Sequence, residues 1–229
     1  MSVDATGIKV LDWGRTRYED AWKRQHELFD AMTAEKKAGR QPQEEYLVVT
    51  EHDPVITLGR HAHEDNLLMP QASLRERGVE VFHIERGGDI TYHGPGQLVA
   101  YPILDLERHR LGVKDYVNIL EESVIKTIAR FGIQGERVDG ASGVWIGKGT
   151  ARERKICAVG VKCSRFCTMH GLALNVNTDL EGFRMINPCG FTDKGVTSIK
   201  EETGQEAGFD DVKRIFSDVF LRLILALEK

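Results

Sequence analysis

Apolar residues recur at helical spacing in three stretches of the chain. Tyr18, Ala21, Trp22, Leu28, Phe29 and Met32 fall on one helical face. Thr16 precedes them and Glu19 follows it by three residues, the spacing of a capping box, so the first helix is expected to open at Thr16. A second face is Val117, Leu120, Val124, Ile128 and Phe131, with Gly132 where a left-handed cap would end it. The third runs Phe209, Val212, Ile215, Phe216, Val219, Phe220, Leu223 and Leu227. Charged residues fill the opposite faces, the pattern of surface helices that cover a sheet.

The stretches between them read as strands: 7–11, 45–50, 55–58, 80–84, 97–102, 143–146, 156–163 and 168–176. The strand signals from 80 to 103 contain no helix, which a repeated βαβ fold would require. The pattern predicts an α+β fold: a mixed, largely antiparallel sheet with flanking helices, the helices on one side of it. With no repeat, low-complexity stretch or Pro/Ser-rich linker, residues 1–229 are expected to form one domain.

Charge and cysteine usage narrow the function. Thirty-one Lys and Arg against 35 Asp and Glu leave a net charge of −4. That argues against sequence-independent nucleic-acid binding, which runs on positive charge. No apolar run nears the ~20 residues of a membrane span, and the first residues have no basic start before an apolar stretch. A reducing, cytoplasmic setting is therefore expected, with Cys157, Cys163, Cys167 and Cys189 as free thiols.

Three segments carry candidate chemistry. The first is Arg86-Gly87-Gly88-Asp89-Ile90-Thr91-Tyr92-His93-Gly94-Pro95-Gly96-Gln97. Its glycines allow another backbone or a ligand to approach closely, and Gly94-Pro95-Gly96 reads as a sharp turn. A plain glycine-rich hairpin is the competing reading; Arg86, Thr91, Tyr92 and His93 tilt the balance to a binding wall. The second is Lys155–Lys162. Strand alternation puts Lys155 on one face with Cys157, Val159 and Val161, where desolvation lowers a lysine pKa from its usual ~10.4. A strand-edge lysine reaching water remains open and is the commoner fate. The third is Asn187-Pro188-Cys189-Gly190, a cysteine on a turn that can meet a cleft. It needs a proton acceptor or cation nearby to act as a nucleophile, and a buried structural cysteine is the alternative.

Two weaker signals remain. Cys163, Cys167 and His170 have no standard zinc spacing, and His170 alternates with Leu172 and Leu174 as a core histidine does. Residues 148–165 hold six basic residues against one acid, either a solvated loop or a docking patch for an acidic partner.

Taken in order, RGGDITYHGPGQLVAYPILDL (86–106), KICAVGVKCSRFCTMHGLALNVNTDL (155–180), FRMINPCG (183–190) and Val196-Thr197-Ser198 resemble the lipoyl(octanoyl) transferase family, from about Tyr46 to Ser198. The resemblance implies a domain related to lipoate–protein and biotin–protein ligases. It implies transfer of an octanoyl or lipoyl group from acyl carrier protein to a lysine of the lipoyl domains of 2-oxoacid dehydrogenases and of glycine cleavage H protein. It also implies a catalytic Cys189/Lys155 pair. Substrate contacts would fall on Arg86, Gly87, Gly88, Asp89, Ile90, Thr91, Tyr92, His93, Ala158, Val159, Gly160, Gly171, Leu172 and Ala173. No cofactor or metal is expected, because a thioester donor is already activated. An ATP-dependent lipoate–protein ligase is the alternative; it would not need Cys189.

Overall fold

The computed structural model describes residues 7–187 and 195–227. The elements, in chain order, begin with β1 (Ile8–Thr16), α1 (Tyr18–Lys37), β2 (Glu45–His52), β3 (Val55–Leu58), α2 (Gln71–Glu76), β4 (Glu80–His83) and β5 (Ile90–His93). There follow β6 (Gln97–Ile103), α3 (Val113–Ala129), β7 (Glu136–Val138), β8 (Ala141–Ile146), β9 (Arg154–Ser164) and β10 (Cys167–Asn175). The last are β11 (Gly195–Val196), α4 (Ile199–Thr203) and α5 (Phe209–Leu225).

The main sheet runs β1-β2-β6-β10-β9-β8-β7, and β11 pairs with β9. Only β1–β2 and β11–β9 are parallel, so the sheet is largely antiparallel, as the patterning implies. β4-β3-β5 form a second, three-stranded sheet, which the strand pattern alone did not separate. The glycine-rich 86–97 segment is therefore no hairpin: β5 and β6 belong to different sheets. Its Gly94–Gly96 turn does form, with the Gln97 N–H donating to the Gly94 carbonyl at 3.2 Å and Gly96 at φ +77°.

Helices cover both faces of the main sheet, which corrects the expectation of one side. On one face, Leu47, Val49, Leu98 and Leu174 pack with Leu120 and Val124 of α3 and Phe216 and Phe220 of α5. On the other, Val48, Val99, Tyr101 and Met169 pack with Phe29 and Met32 of α1. Strand alternation causes the split: neighbouring residues of β2 and β6 point to opposite faces, and both faces are apolar.

The expected capping box is absent. Thr16 is the last residue of β1, pairing with His52, and its hydroxyl lies 3.2 Å from Thr50 Oγ1. Arg17 caps α1 instead, without a side-chain hydrogen bond. A parallel strand pair that fixes the whole of 8–16 outweighs a cap of about 1 kcal/mol.

Candidate active site

A cavity of about 480 Å³ opens between the main sheet, the 84–93 segment and the β7–β8 turn. Its floor is a trough of small residues. Gly160 pairs with Gly171 and Ala158 with Ala173 across β9 and β10. Two of these glycines are demanded by packing. A Cβ on Gly160 would meet the Gly87 carbonyl oxygen at 2.8 Å, and one on Gly171 would meet the Ala100 oxygen at 2.1 Å. The first contact is where the Gly87 N–H donates to the Val161 carbonyl, 2.9 Å, joining the 86–88 loop to β9.

The cavity gathers most of the residues singled out in the sequence. Arg86, Gly87, Gly88, Asp89, Ile90, Thr91 and His93 line one wall. Ala158, Val159, Gly160, Gly171, Leu172 and Ala173 line the facing one, and Lys155 stands at the β11 end. Tyr92 does not join them. It is buried in a separate cluster, its ring edge-on to Phe183 with centroids 5.5 Å apart, because alternation along β5 turns it away from His93. Cys189 lies outside the described residues.

Lys155 reaches the cavity by a route that simple alternation misses. Val144 pairs with Cys157 while the next residue, Trp145, pairs with Lys155, so Ile156 is an extra residue in β9. Both Ile156 and Cys157 enter the core, and Lys155 comes to the cavity with Ala158. Gly143, at φ +122°, makes room opposite: a Cβ there would meet the Cys157 carbonyl oxygen at 2.4 Å. The Lys155 ammonium sits 4.5 Å from the Trp145 ring centroid, a cation–π distance.

The chain returns to this point after residue 194. Gly195 and Val196 pair alongside Arg154 and Lys155, and the Thr197 N–H donates to the Lys155 carbonyl at 3.0 Å. On the other flank, the Asn187 N–H donates to the Asn66 carbonyl at 2.8 Å.

A buried polar chain, unmarked in the sequence, supports the wall. Arg86 donates to the Thr57 carbonyl (2.7 Å) and hydroxyl (3.1 Å). Thr57 Oγ1 lies 3.3 Å from His93 Nε2, and His93 Nδ1 lies 2.8 Å from Gln97 Oε1. Gln97 Nε2 donates to Asn175 Oδ1 at 2.8 Å, and Asn175 Nδ2 donates to the Thr197 carbonyl at 2.9 Å. Because Gln97 Oε1 can only accept, His93 carries its proton on Nδ1 and accepts from Thr57 through Nε2. Beside it, His52 Nδ1 faces the Thr16 carbonyl (3.2 Å) and so is protonated, leaving Nε2 to accept from the Tyr101 hydroxyl at 2.6 Å. Burial lowers His52 to about 4 and His93 to about 3, so both are neutral at pH 7. The signal for this chain was weak in sequence, since Thr57, Gln97 and Asn175 are separated by up to 118 positions.

None of the three described thiols is an activated nucleophile. Burial raises Cys157, Cys163 and Cys167 above the ordinary thiol value, Cys167 to about 11. Cys163, Cys167 and His170 do not gather as ligands: among the described residues no three His, Cys, Asp or Glu side chains are grouped to hold a metal. Nor do the basic residues of 148–165 form one patch. Arg154 is held by Glu202, with its Nε 2.7 Å from Oε1, and Lys162 by Glu85 at 3.1 Å. Arg152 and Arg165 lie beyond opposite ends of β9, which spans 11 residues and thus roughly 35 Å.

Comparison with known proteins agrees with this arrangement. Residues 17–221 match the family model of the lipoyl protein ligase A/B catalytic domain. An octanoyltransferase of Porphyromonas gingivalis is 54% identical over 98% of this chain, which spans about half (49%) of that protein's length. One of Bacteroides thetaiotaomicron is 51% identical over 90% of both chains. In fold, the chain is similar to the bipartite lipoate protein ligase of Thermoplasma acidophilum, with TM-score 0.69 and 15% identity over 96% of this chain and 84% of that one. It is also similar to the biotin protein ligase of Aquifex aeolicus, with TM-score 0.51 and 13% identity over 95% and 70%. The chain belongs to the lipoyl protein ligase A/B catalytic-domain family. Within it, the relatives of about half-identical sequence are octanoyltransferases, and the chain is an acyltransferase.

Proposed function

We propose that this chain, as a single catalytic domain over residues 1–229, moves an octanoyl or lipoyl group from acyl carrier protein to a lysine of lipoate-dependent proteins. The acceptors would be the lipoyl domains of 2-oxoacid dehydrogenases and glycine cleavage H protein, in the cytoplasm. Among the described residues no helix is long and apolar enough to cross a membrane.

The observation that carries the mechanism is the placement of Lys155 at one end of an apolar trough, beside the strand that resumes the chain six residues after Cys189. The three other thiols are buried or raised in pKa, which leaves Cys189 as the remaining candidate nucleophile. In the first half-reaction Lys155 takes the Cys189 proton and the thiolate attacks the octanoyl thioester carbonyl. The new C–S bond forms as the donor's C–S bond breaks, and the carrier thiol leaves with the proton from Lys155. In the second, the acceptor lysine's amine attacks the octanoyl–Cys189 thioester. The amide forms as Lys155 takes the amine's proton, the C–S bond to Cys189 breaks, and Lys155 passes that proton to the departing Cys189 thiolate. The reaction is redox-neutral, and its activation is stored in the donor thioester. Burial of the acyl chain contributes about 0.8 kcal/mol per methylene.

Intact-mass spectrometry after mixing with octanoyl-acyl carrier protein tests this. One octanoyl adduct, mapped to Cys189 and discharged by a lipoyl domain without ATP, is expected. The fold likeness to lipoate protein ligases keeps an ATP-dependent ligase as the competing reading. Transfer only with free acid and ATP, without an adduct, would establish it.

A further inference from the structure

Lys155 sits where β9 has little ladder to hold it. It is the second residue of the strand, next to the extra residue Ile156, and its neighbour β11 is two residues long. A bulge disrupts the ladder hydrogen bonds around it, so the position of such a strand end rests on other groups. The side chain of Glu202, on α4, supplies them from outside the cavity lining. One carboxylate oxygen accepts from Arg154 Nε at 2.7 Å and from the Thr197 hydroxyl. The other accepts from a terminal nitrogen of Arg154.

Those two partners flank Lys155. Arg154 precedes it in β9. Thr197 follows the β11 residue that pairs with Lys155, and its N–H donates to the Lys155 carbonyl at 3.0 Å. Glu202 thus closes a ring through Arg154, Lys155 and Thr197 that joins β9 to β11. A two-pronged Arg–carboxylate pair fixes geometry as well as adding energy. The Glu202 side chain is 13% exposed, so salt screens the pair little. Against the cost of burial, Arg154 and Thr197 hold its carboxyl below the ordinary value, so it is ionised at pH 7. The Glu202 backbone is fixed as well: its N–H donates to the Ser198 carbonyl at 3.0 Å, and the Ser198 hydroxyl accepts from the Glu201 N–H at 3.1 Å.

We propose that Glu202 is a positioning residue for Lys155: by tying Arg154 to Thr197 it fixes the backbone from which the lysine reaches the cavity. The consequence for rate rests on the acyl-transfer reading above, in which Lys155 moves the proton. Without the charge, Arg154 loses its carboxylate partner and the start of β9 is free to shift. Misplacing a reacting group by about 1 Å costs on the order of 10²-fold in rate. The trough of Ala158, Gly160, Gly171 and Ala173 makes no hydrogen bond to Glu202, so acyl binding keeps its strength.

Two variants of nearly unchanged volume test this, so both are expected to fold. Glu202→Gln keeps an acceptor for Thr197 but loses the charge that grips Arg154; Thr197→Val loses the hydroxyl alone. Each should lower kcat for octanoyl transfer, Glu202→Gln by ~10–10²-fold, with KM for the octanoyl donor unchanged. In a Lys155→Ala background the same changes should cost less than about twofold, because there is no lysine left to misplace. Equal factors with and without Lys155 would show a merely structural clip and overturn the inference. A second readout needs no turnover. The lysines are dimethylated with ¹³C-formaldehyde, which keeps their charge, and the Lys155 signal is assigned by its absence in Lys155→Ala. The Trp145 ring, 4.5 Å away, should shift that signal, and Glu202→Gln should return it towards the position of exposed lysines. An unmoved signal overturns the inference. If the unmutated protein transferred no octanoyl group, the acyl-transfer reading would fall, and this signal would still decide the positioning role.

Discussion

Lowering the pH from 7 to 5 should cost this protein about 4 kcal/mol of folding stability, through His52 and His93. His93 lines the cavity and His52 packs against it, ring centroids 5.9 Å apart; both are neutral in the folded state, because burial depresses them to about 3 and about 4 from an ordinary 6.5. Between the unfolded and folded values the unfolded chain binds a proton that the folded chain does not. Stability therefore begins to fall as pH drops through 6.5 and keeps falling towards the folded values. Each histidine contributes about 2 kcal/mol by pH 5, at about 1.4 kcal/mol per pH unit. His170, also lowered by burial, acts in the same direction. Glu45 and Glu85 do not contribute in this window. Against the cost of burial, their cationic and hydrogen-bonding neighbours hold both below the ordinary 4.5, so their loss begins only below that pH. A loss of this size is a large part of a domain's usual 5–15 kcal/mol. Urea unfolding at pH 7, 6 and 5 measures it. His93→Gln should be less stable at pH 7 yet lose about 2 kcal/mol less on acidification. Equal stability at pH 7 and 5, or the same slope in the His52→Gln/His93→Gln double variant, would refute the reasoning.

Lys155→Ala should cut octanoyl transfer by ~10²–10⁴. Lys155→Arg keeps a cation over Trp145 but cannot give up its proton, so it should not restore the rate in steady-state assays. Cys189→Ser should form no octanoyl adduct by intact mass while unfolding at an unchanged urea midpoint; an adduct appearing on Cys157 would reassign the nucleophile. Gly160→Ala should cost about 1–3 kcal/mol in urea unfolding, because its methyl must displace the Gly87 carbonyl or the Arg86 side chain. It should raise KM for the acyl donor by loosening the 86–88 loop from β9.

Much of this molecule was determined by its sequence alone. The 55–58 strand, the Gly94–Gly96 turn and the helical faces of α3 and α5 are local patterns, decided by side-chain period and backbone freedom, and they form as read. The order of the glycine-rich, Lys155 and Cys189 segments was sufficient to suggest the family. Tertiary structure decided the rest, where a distant partner overrode a local rule. Thr16 could cap a helix or end a strand, and β2 drew it into the sheet. Lys155 and His170 both leave the faces that alternation assigns them. The first is shifted by an extra residue opposite Gly143, and the second by a left-handed backbone beside Glu85 and Gln25. Alternation assumes an unbroken pleat, and neither break is encoded next to the residue it moves. Each exists only once strands far apart in the chain have paired, and each delivers a side chain to the cavity.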